Sequence, residues 1–553
     1  MKKESFVSFI EQSILSNWDK EALADYKGGT YRYSDVGEQM VKMHLAFEQT
    51  GLKKGDKVAL VGKNSANWAS AFLSVLAYGT VVVPILPDFK PEDMENIINH
   101  SDSLFLFSSD QIFETLNKEK LPNIKAVISL DDFRILHTHA DFTTEGLKSR
   151  LEEEEAGRYP AGIKKEHLTA ATLEDDDLAV ISYTSGTTGF SKGVMIPHIS
   201  LYGNIRFAHE NMPLLPGDRI VSFLPLAHTY GCAFEFLFPF TLGCHITFLT
   251  KTPSPNIIIQ AFKEIRPRLI LAVPLVIEKI YKNKLLPVLN KPLISILLKV
   301  PLINLVLFGK FRKTLTETFG GNFKELVIGG AAFNPEAERF FRKIKFPFTV
   351  GYGMTECGPL IAYAGWKDAR LGSSGRRVDA LEIRISKEDP SQKVGEIQVK
   401  GTHVMKGYYK NPEATRLAIE DDGWMHTGDL GYLDKDGFVY ITGRSKSMLL
   451  GASGQNIYPE EIEARINNLT YIMESLVISD KGKLVALVFP DDEAIKAAGL
   501  SKDELPGIYM TYRNDLNRSI PSYMNISEFR IVDREFEKTP KRSIKRFLYS
   551  GAN

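Results

Sequence analysis

Short apolar runs alternate with helix-like segments along the first 370 residues of the chain. Apolar residues recur with helical spacing over 30–50, and helices are also predicted around 68–76 and 91–98. The apolar runs that predict strands are 57–62, 79–84, 104–107, 178–181, 269–274 and 326–328. Strands that alternate with helices are typical of a parallel sheet covered by helices. The pattern therefore predicts an α/β fold built on mostly parallel sheets.

The pattern changes after residue 370. Runs with strand character, such as 382–385 and 396–400, are short and are separated by glycine turns, which predicts a small barrel-like or antiparallel subdomain. A polar break follows at 443–446, and the α+β segment beyond it has the usual size of a domain. We therefore predict a large domain at 1–443, a hinge at 444–447 and a small mobile C-terminal domain at 448–553.

The most apolar region lies at 285–308. It is interrupted by charged, polar or helix-breaking residues, namely Lys291, Pro292, Lys299, Pro301 and Asn304. A membrane-spanning helix needs ~20 nearly uncharged apolar residues, so this region does not predict one. Buried helices are the main prediction, and a patch that touches a membrane surface is the alternative.

The N-terminus has two lysines and no long apolar core behind them, which argues against a signal peptide. The expected location is cytoplasmic, and peripheral contact with the inner face of a membrane stays open.

The composition is that of ordinary globular material. Of 553 residues, 44% are hydrophobic and 25% are charged. Lysine plus arginine and aspartate plus glutamate both total 68, and this balance argues against a nucleic-acid partner held by bulk charge. Cys232, Cys244 and Cys357 lack metal-binding spacing, so we expect a reducing compartment and no disulfide framework.

One stretch, 183–193, carries the strongest chemical signal. It reads Tyr-Thr-Ser-Gly-Thr-Thr-Gly-Phe-Ser-Lys-Gly and follows the apolar run 178–181. Glycines bring backbone N–H groups close to an anion, hydroxyls add donors, and Lys192 adds a positive charge. The stretch therefore predicts a phosphate cradle, and a flexible Ser/Gly loop is the alternative. The cradle residues are Thr184, Ser185, Gly186, Thr187, Thr188 and Gly189.

The cradle does not follow the P-loop pattern. Ser191 stands where that pattern has its second glycine, and Gly193 stands where it has the hydroxyl that binds magnesium. Any magnesium ligand must therefore come from elsewhere in the chain.

The stretch resembles the signature loop of the acyl-adenylate-forming enzymes, which include acyl-CoA synthetases, luciferases and peptide-synthetase adenylation domains. Other motifs of that family follow in the expected order. They are 224–228, similar to L-P-L-x-H; 352–356, similar to Y-G-x-T-E; 423–429, similar to G-W-x-x-T-G-D; and 440–444. Each motif is weak alone, but their joint occurrence is specific. Residues 273–281 resemble a segment of long-chain fatty acid–CoA ligases, with Leu275 in place of the usual arginine.

The resemblance implies a role for each motif. His228 would border the path of the carboxylate and the thiol. Glu356 would ligate Mg²⁺ through a hard carboxylate oxygen, and Thr355 would donate to a phosphate. Asp429 would accept hydrogen bonds from the ribose hydroxyls, and Arg444 would add a cation beside the nucleotide.

Small residues after the apolar run 326–328 suit a flat ring. Without large side chains in the way, Gly330, Ala331 and Ala332 would let adenine lie against the backbone. A simple turn into a helix at 334–336 is the alternative.

The remaining nucleotide-site residues also rest on the resemblance. Tyr352, flanked by Gly351 and Gly353, would stack on adenine. Tyr440 is placed near the nucleotide, and Lys446 stands where the family has its hinge residue.

The last motif departs from the family pattern. The chain reads Thr-Pro-Lys-Arg-Ser-Ile-Lys-Arg over 539–546, so Ser543 stands where the family has its catalytic lysine. Lys541 or Lys545 could take its place after a local shift, and the alternatives are that both are solvated cations or contact CoA phosphates. The departure is expected to slow adenylation more than thioester formation.

The resemblance implies a two-step ligase that uses ATP, Mg²⁺ and coenzyme A. A medium- or long-chain fatty acid would become an acyl-adenylate and then an acyl-CoA. An acyl carrier protein as acceptor, or an aromatic acid as substrate, stays open. A nucleotide-binding protein without adenylation activity is the alternative from another class, and Ser543 is the feature that favours it. The oligomeric state is not predicted.

Overall fold

The structure is a computed structural model. The residues that it describes are 5–139, 142–184, 192–250, 254–289, 291–387, 389, 391–450, 456–539 and 544–549. It has an α/β architecture with parallel sheets in the larger N-terminal part, so the predicted fold class is confirmed.

The strands in chain order are β1 (Glu21–Asp25), β2 (Thr30–Arg32), β3 (Lys57–Val61), β4 (Val81–Ile85), β5 (Ser103–Ser108), β6 (Ala126–Ser129), β7 (Ile135–Thr138), β8 (Leu178–Thr184), β9 (Lys192–Pro197), β10 (Arg219–Ser222), β11 (His245–Phe248), β12 (Leu269–Ala272), β13 (Glu325–Ile328), β14 (Phe348–Val350), β15 (Tyr352–Gly353), β16 (Leu360–Tyr363), β17 (Arg376–Arg377), β18 (Leu381–Ser386), β19 (Gly395–Gly401), β20 (Met425–Leu433), β21 (Val439–Arg444), β22 (Leu449–Leu450), β23 (Asn456–Ile457), β24 (Ile472–Asp480), β25 (Lys483–Pro490) and β26 (Ile526–Ile531).

The α-helices are α1 (Phe6–Ser16), α2 (Tyr33–Gln49), α3 (Ala66–Tyr78), α4 (Pro91–His100), α5 (Asp110–Phe113), α6 (Thr144–Arg158), α7 (His198–Asn211), α8 (Thr229–Gly231), α9 (Phe238–Leu242), α10 (Pro255–Ile265), α11 (Pro274–Ile280), α12 (Leu286–Leu289), α13 (Pro292–Leu297), α14 (Ile303–Thr318), α15 (Pro335–Lys343), α16 (Pro412–Ala418), α17 (Pro459–Ile466), α18 (Asp492–Ala497) and α19 (Leu505–Ser519).

A seven-stranded sheet forms the centre of the N-terminal part, in the order β7-β6-β5-β3-β4-β8-β9. Its inner strands pair in parallel, whereas the edge strands β7 and β9 are antiparallel to their neighbours. Parallel strands covered on both faces need apolar side chains on both sides, and all five residues of β4 are buried. The sheet ends on the side of β9, where the predicted phosphate cradle begins.

Helix α3 shows how the sequence sets local structure. The Ser65 side chain accepts a hydrogen bond from the Trp68 N–H and caps the first turn. Gly79 ends the helix in the left-handed conformation, with φ +87°, which glycine adopts without steric cost. Between these signals nearly every residue is apolar and buried, because the helix lies in the interior of the N-terminal part.

Smaller sheets extend the N-terminal part. One has the order β10-β11-β1-β2, and another is the parallel set β12-β13-β14. The antiparallel sheets β15-β16-β17 and β18-β19-β20-β21 follow along the chain. The sheet β18-β19-β20-β21 is the antiparallel subdomain that the short runs after residue 370 predict.

The C-terminal segment has its own sheet and its own core. Strands β24 and β25 are antiparallel, and β26 pairs with β25 in parallel. Two hydrophobic clusters contain residues up to Val439, and two others contain residues from Ile457 onward. The predicted hinge coincides with a 3₁₀ turn at Ser445–Ser447. The domain limits at 443 and 448 stay predictions.

The prediction of buried helices at 285–308 is wrong for its central part. Leu285 and Phe308 are buried, but Leu293, Leu302 and Val306 are 67%, 76% and 73% exposed. The apolar composition predicts helices here, but it does not tell whether other elements cover them. Among the described helices, none combines the length and the apolar character needed to cross a bilayer.

Candidate active site

The predicted phosphate cradle spans the tip of a β-hairpin. Strands β8 and β9 pair up to Thr184 and Lys192, and the Thr184 hydroxyl lies 3.5 Å from the Lys192 carbonyl oxygen. The hairpin therefore fixes both ends of the loop beside the central sheet. The cradle residues between these ends lie outside the described residues, namely Ser185, Gly186, Thr187, Thr188 and Gly189.

Lys192 and Glu356 meet through Tyr408. The Lys192 ammonium lies 4.7 Å from the centre of the Tyr408 ring, and the Tyr408 hydroxyl donates to Glu356 Oε1 at 3.0 Å. Burial and the nearby Glu356 carboxylate raise the pKa of Tyr408, so its hydroxyl stays a donor. The sequence motifs place Lys192 and Glu356 in one site, but they do not include Tyr408.

The backbone of Tyr408 is held against the cradle hairpin. The Met195 N–H donates to the Gly407 carbonyl, and the Lys406 N–H donates back to Met195. The Tyr409 N–H donates to the Gly193 carbonyl at 2.8 Å. These bonds pair residues 406–409 with β9 in antiparallel orientation, which explains how Tyr408 reaches the site.

Glu356 is presented by a tight hairpin. It lies in a 3₁₀ turn, Thr355–Cys357, between β15 and β16. A Cβ on Gly353 would lie 2.3 Å from the Pro359 carbonyl oxygen, so this position accepts only glycine. The glycine of the Y-G-x-T-E motif therefore allows the close strand pairing that orients Glu356.

The donor set fits a magnesium ion. Among the described residues, no cluster of three or more His, Cys, Asp or Glu side chains could hold a metal. Mg²⁺ is commonly held by one or two carboxylates, together with substrate phosphates and water. Glu356, a carboxylate beside the cradle, matches this pattern, whereas a site for zinc would need more protein ligands.

A second polar group surrounds Asp429. The Tyr352 hydroxyl donates to Asp429 Oδ2 at 2.7 Å, and Arg444 Nε lies 3.2 Å from Asp429 Oδ1. Burial raises the pKa of Asp429, Arg444 and Tyr352 oppose the shift, and the Glu356 charge adds to it. Tyr352 and Glu356 lie on the same hairpin, so Asp429 and Glu356 belong to neighbouring parts of one polar region.

The predicted adenine surface lies at the end of β13. Gly330, Ala331 and Ala332 are exposed and follow the buried strand directly. Gly330 has φ +88°, which lets the chain turn without a side chain over the surface. A Cβ on the preceding Gly329 would lie 3.1 Å from the Tyr230 ring, so this glycine makes room for an aromatic side chain.

The loop after the adenine surface is tied to α11. The Asn334 N–H donates to Glu278 Oε1 at 2.9 Å, and the Asn334 side chain caps α15. Burial raises the pKa of Glu278 to about 7. Glu278 thereby supports the loop from outside the predicted site.

The same elements contact the C-terminal segment. The Asn334 amide donates to the Asn468 side chain, and the Lys282 ammonium donates to the carbonyls of Asn467 and Ile472. Burial lowers the pKa of Lys282. The C-terminal segment is thus held next to the predicted adenine surface.

His228 lies immediately before α8, at the end of a strongly anchored segment. The buried Glu235 side chain accepts hydrogen bonds from the Phe223 and Leu224 N–H groups and from the Ser222 hydroxyl. Burial raises the pKa of Glu235 well above its ordinary range. The sequence does not predict a role for Glu235, because a glutamate between phenylalanines belongs to no motif.

A narrow apolar pocket lies between this segment and β8. Its lining includes Val180, Ser182, Ile196, Leu226, Ala227 and Cys232. Gly358, two residues after Glu356, also lines it. The pocket therefore offers an apolar environment next to the polar site.

Not every predicted residue joins these groups. The Tyr440 ring stacks on Tyr432, with ring centres 4.8 Å apart, and its hydroxyl lies 3.5 Å from Asp434. These contacts lie away from Asp429 along the β20–β21 pair. Lys446 lies exposed in the 3₁₀ turn of the predicted hinge. Lys541 and Ser543 lie outside the described residues.

The chain is similar to known proteins over most of its length. The AMP-binding enzyme family matches residues 10–409. The long-chain-fatty-acid–CoA ligase FadD15 of Mycobacterium bovis is 27% identical over 93% of this chain and 89% of its own.

Solved structures share the fold. The O-succinylbenzoate coenzyme A synthetase MenE of Bacillus subtilis, in complex with ATP and magnesium, has a TM-score of 0.72 at 22% identity, covering 98% of both chains. The anthranilate CoA ligase AuaEII, in complex with anthranoyl-AMP, has a TM-score of 0.77 at 19% identity, covering 99% of this chain and 96% of its own. The chain belongs to the AMP-binding enzyme family.

Replacing Asp429 tests the ribose contact. Asp429→Asn removes the charge that would accept the ribose hydroxyls, so we expect AMP to bind about 10- to 100-fold more weakly, measured by calorimetry. Asp436→Asn, an exposed carboxylate in the turn of the same hairpin, is the control and should bind AMP normally. An Asp429→Asn affinity within threefold of the parent would contradict the assignment.

Glu278 predicts a pH-dependent stability. Its pKa is about 7 in the folded protein and 4.5 ordinarily, so the folded state keeps a proton that the unfolded chain loses. Stability is therefore lost as pH rises from 4.5 to about 7. Glu278→Gln cannot ionise, so its unfolding free energy relative to the parent should rise over this window by about 2 kcal/mol.

Urea unfolding at pH 5, 6, 7 and 8 measures this difference. Glu317→Gln, an exposed glutamate of α14, is the matched control and should show no such trend. A Glu278→Gln difference that stays constant from pH 5 to 8 would show that burial does not perturb this carboxyl group.

Proposed function

We propose that this protein activates a medium- or long-chain fatty acid with ATP and transfers the acyl group to coenzyme A. The observation that carries the proposal is the meeting of Lys192, Tyr408 and Glu356 next to Tyr352, Asp429 and Arg444. The family match and the relatives support ligase activity through an acyl- or aryl-adenylate.

The chemistry explains the need for two steps. A carboxylate is a poor electrophile, because its leaving group would be oxide. Attack of its oxygen on the α-phosphorus of ATP forms the new P–O bond and releases pyrophosphate. The thiol of coenzyme A then attacks the acyl carbon, and AMP leaves as a stabilised phosphate.

The residues of the site would divide this work. Lys192, at the end of the cradle hairpin, would stabilise negative charge on the phosphates, and Thr355 would donate to them. Glu356 would hold Mg²⁺, which neutralises phosphate charge when bound. Asp429 and Arg444 would fix the ribose end, so that the α-phosphate stays near the attacking carboxylate.

The adenine would lie between two surfaces. Gly330, Ala331 and Ala332 provide an exposed backbone without large side chains, and Tyr352 lies at the start of the hairpin that presents Glu356. Gly351 and Gly353 keep that hairpin narrow. His228, next to the apolar pocket, would border the carboxylate end of the substrate.

The two half-reactions would use two positions of the small domain. Residues 1–443 would form the large domain, 444–447 the hinge around Lys446, and 448–553 the small domain. The contacts from Lys282 and Asn334 to residues 467–472 hold one position. They would have to separate when the small domain rotates.

The fatty-acid assignment rests on the relatives. FadD15 is named a long-chain-fatty-acid–CoA ligase, and the putative acyl-CoA synthetase YngI of Bacillus subtilis is 29% identical over 82% of this chain and 81% of its own. An aromatic acid, or an acyl carrier protein as acceptor, remains the alternative. Peripheral membrane contact is a separate part of the proposal.

Pyrophosphate release with a panel of acids tests the function. The protein with ATP and Mg²⁺ should release pyrophosphate with palmitate or octanoate, and form acyl-CoA when coenzyme A is added. Release only with benzoate or anthranilate would reject the fatty acid, and product only with a carrier protein would reject coenzyme A. Nucleotide binding without release with any acid would favour a protein that lacks adenylation activity.

Lys541 is our candidate for the cation that Ser543 does not supply. Lys541→Ala should slow the adenylation half-reaction about tenfold or more, with little effect on thioester formation from supplied acyl-adenylate. Lys545 lies 3.6 Å from Glu537 and serves as the control, since its replacement by alanine should leave both rates near the parent values. Single-turnover kinetics measure both steps, and equal rates for both variants would reject Lys541.

A further inference from the structure

Seven large apolar side chains are exposed within one short part of the chain. We call this part the apolar tip, and its residues are Leu293, Ile296, Val300, Leu302, Ile303, Leu305 and Val306. Their exposure ranges from 37% at Val300 to 76% at Leu302. A contiguous exposed apolar region of this kind marks an interaction site more often than an ordinary surface.

The apolar tip lies on helices α13 and α14 and on the turn between them. Helices α13 and α14 flank the turn at 298–302, and α14 is anchored to the core by Phe308 and Leu315. Val306 lies two residues before Phe308 and therefore faces away from it, whereas Leu305 lies three residues before Phe308, beside the anchored face; both side chains are largely exposed. Helix α14 therefore has an anchored side and an outward side, as in an amphipathic helix at a membrane surface.

Exposed cations follow the apolar residues along α14. Arg312 and Lys313 follow Leu305 and Val306 at helical spacing, and Lys310 is also exposed. Lys299, in the turn, is exposed as well. We call these four residues the basic stripe.

The charged residues along this part of the chain are cations, and Lys313 lies 3.9 Å from Glu317, the first acidic residue beyond it. Between Glu278 and Glu317 the sequence has seven lysines, one arginine and no aspartate or glutamate. The whole chain has no net charge, with 68 residues of each sign. The cations are therefore concentrated around the exposed apolar residues.

This combination fits a lipid surface with negative headgroups. Apolar side chains gain by entering the boundary of the acyl chains, while neighbouring lysines and arginines stay at the headgroups. A protein partner would need a surface that is both apolar and acidic. The described helices include none that could span a bilayer, so the contact would be at the interface.

We propose that the apolar tip and the basic stripe dock this protein on an anionic lipid bilayer. The tip enters the interface, and Lys299, Lys310, Arg312 and Lys313 contact the headgroups. The docking does not depend on the identity of the acid or on the activity of the nucleotide site. It would place the protein next to substrates dissolved in lipid.

Co-sedimentation with vesicles tests the docking. The full chain should bind vesicles of phosphatidylcholine with 30 mol% phosphatidylglycerol, and bind pure phosphatidylcholine far less. Binding should weaken as salt is raised. Leu305→Ser/Val306→Ser should reduce binding about tenfold or more. Lys310→Glu/Arg312→Glu/Lys313→Glu should reduce it about a hundredfold.

The chain offers matched controls. Leu417→Ser/Met510→Ser changes two exposed apolar residues elsewhere, and Lys481→Glu/Lys483→Glu/Lys496→Glu reverses three exposed cations elsewhere. Both should bind vesicles like the parent. Thermal unfolding and AMP binding verify that every variant is folded.

Two results would overturn the proposal. One is equal vesicle binding by the tip, stripe and control variants, or no binding by any protein. The other is that the parent is a dimer, that Leu305→Ser/Val306→Ser is a monomer, and that neither protein binds vesicles. This result would make the tip a protein interface. Loss of pyrophosphate release would bear on the proposed function and not on docking.

Discussion

The hydrogen bond from the Tyr408 hydroxyl to the Glu356 carboxylate connects three parts of the chain that are far apart in sequence. It links the hairpin of β15 and β16 to residues 406–409, which in turn pair with β9 and the end of the cradle. Lys192 completes the connection from the other side of the Tyr408 ring. Together with the hydrogen bond from the Met405 N–H to the Glu356 carbonyl, the Tyr408 bond fixes the Glu356 carboxylate relative to the end of the hairpin that carries Lys192.

Two carboxylates, Asp429 and Glu356, lie in one polar region, and the protein provides them with different partners. Asp429 is buried and has a hydroxyl and a guanidinium as partners, yet burial still raises its pKa. Glu356 adds to that shift. A bound nucleotide with its magnesium would bring ribose hydroxyl donors to Asp429 and a divalent cation to Glu356. Ligand binding would therefore offset both the burial of Asp429 and the negative charge of Glu356. The arrangement is thus suited to the ligand that it is proposed to take.

The sequence predicts much of the fold, because buried parallel strands such as β3, β4 and β13 are short apolar runs between helical segments. It also predicts that Lys192, Glu356 and Asp429 belong together, through motifs whose spacing is specific. Tyr408 and Glu235 could not be found in this way, since their roles depend on partners distant in sequence. The region 285–308 shows the limit of hydrophobicity as a signal. Apolar composition predicts helices there, but only the packing shows that Leu302 and Val306 face outward.

Every role proposed for a residue of the site depends on where the nucleotide binds. A crystal structure with a non-hydrolysable ATP analogue and Mn²⁺, read by anomalous scattering, measures it directly. The expected result places the adenine on Gly330–Ala332, the ribose at Asp429, the phosphates between Thr184 and Lys192, and a manganese peak at the Glu356 carboxylate. A nucleotide bound elsewhere, or a metal peak away from Glu356, would contradict the interpretation.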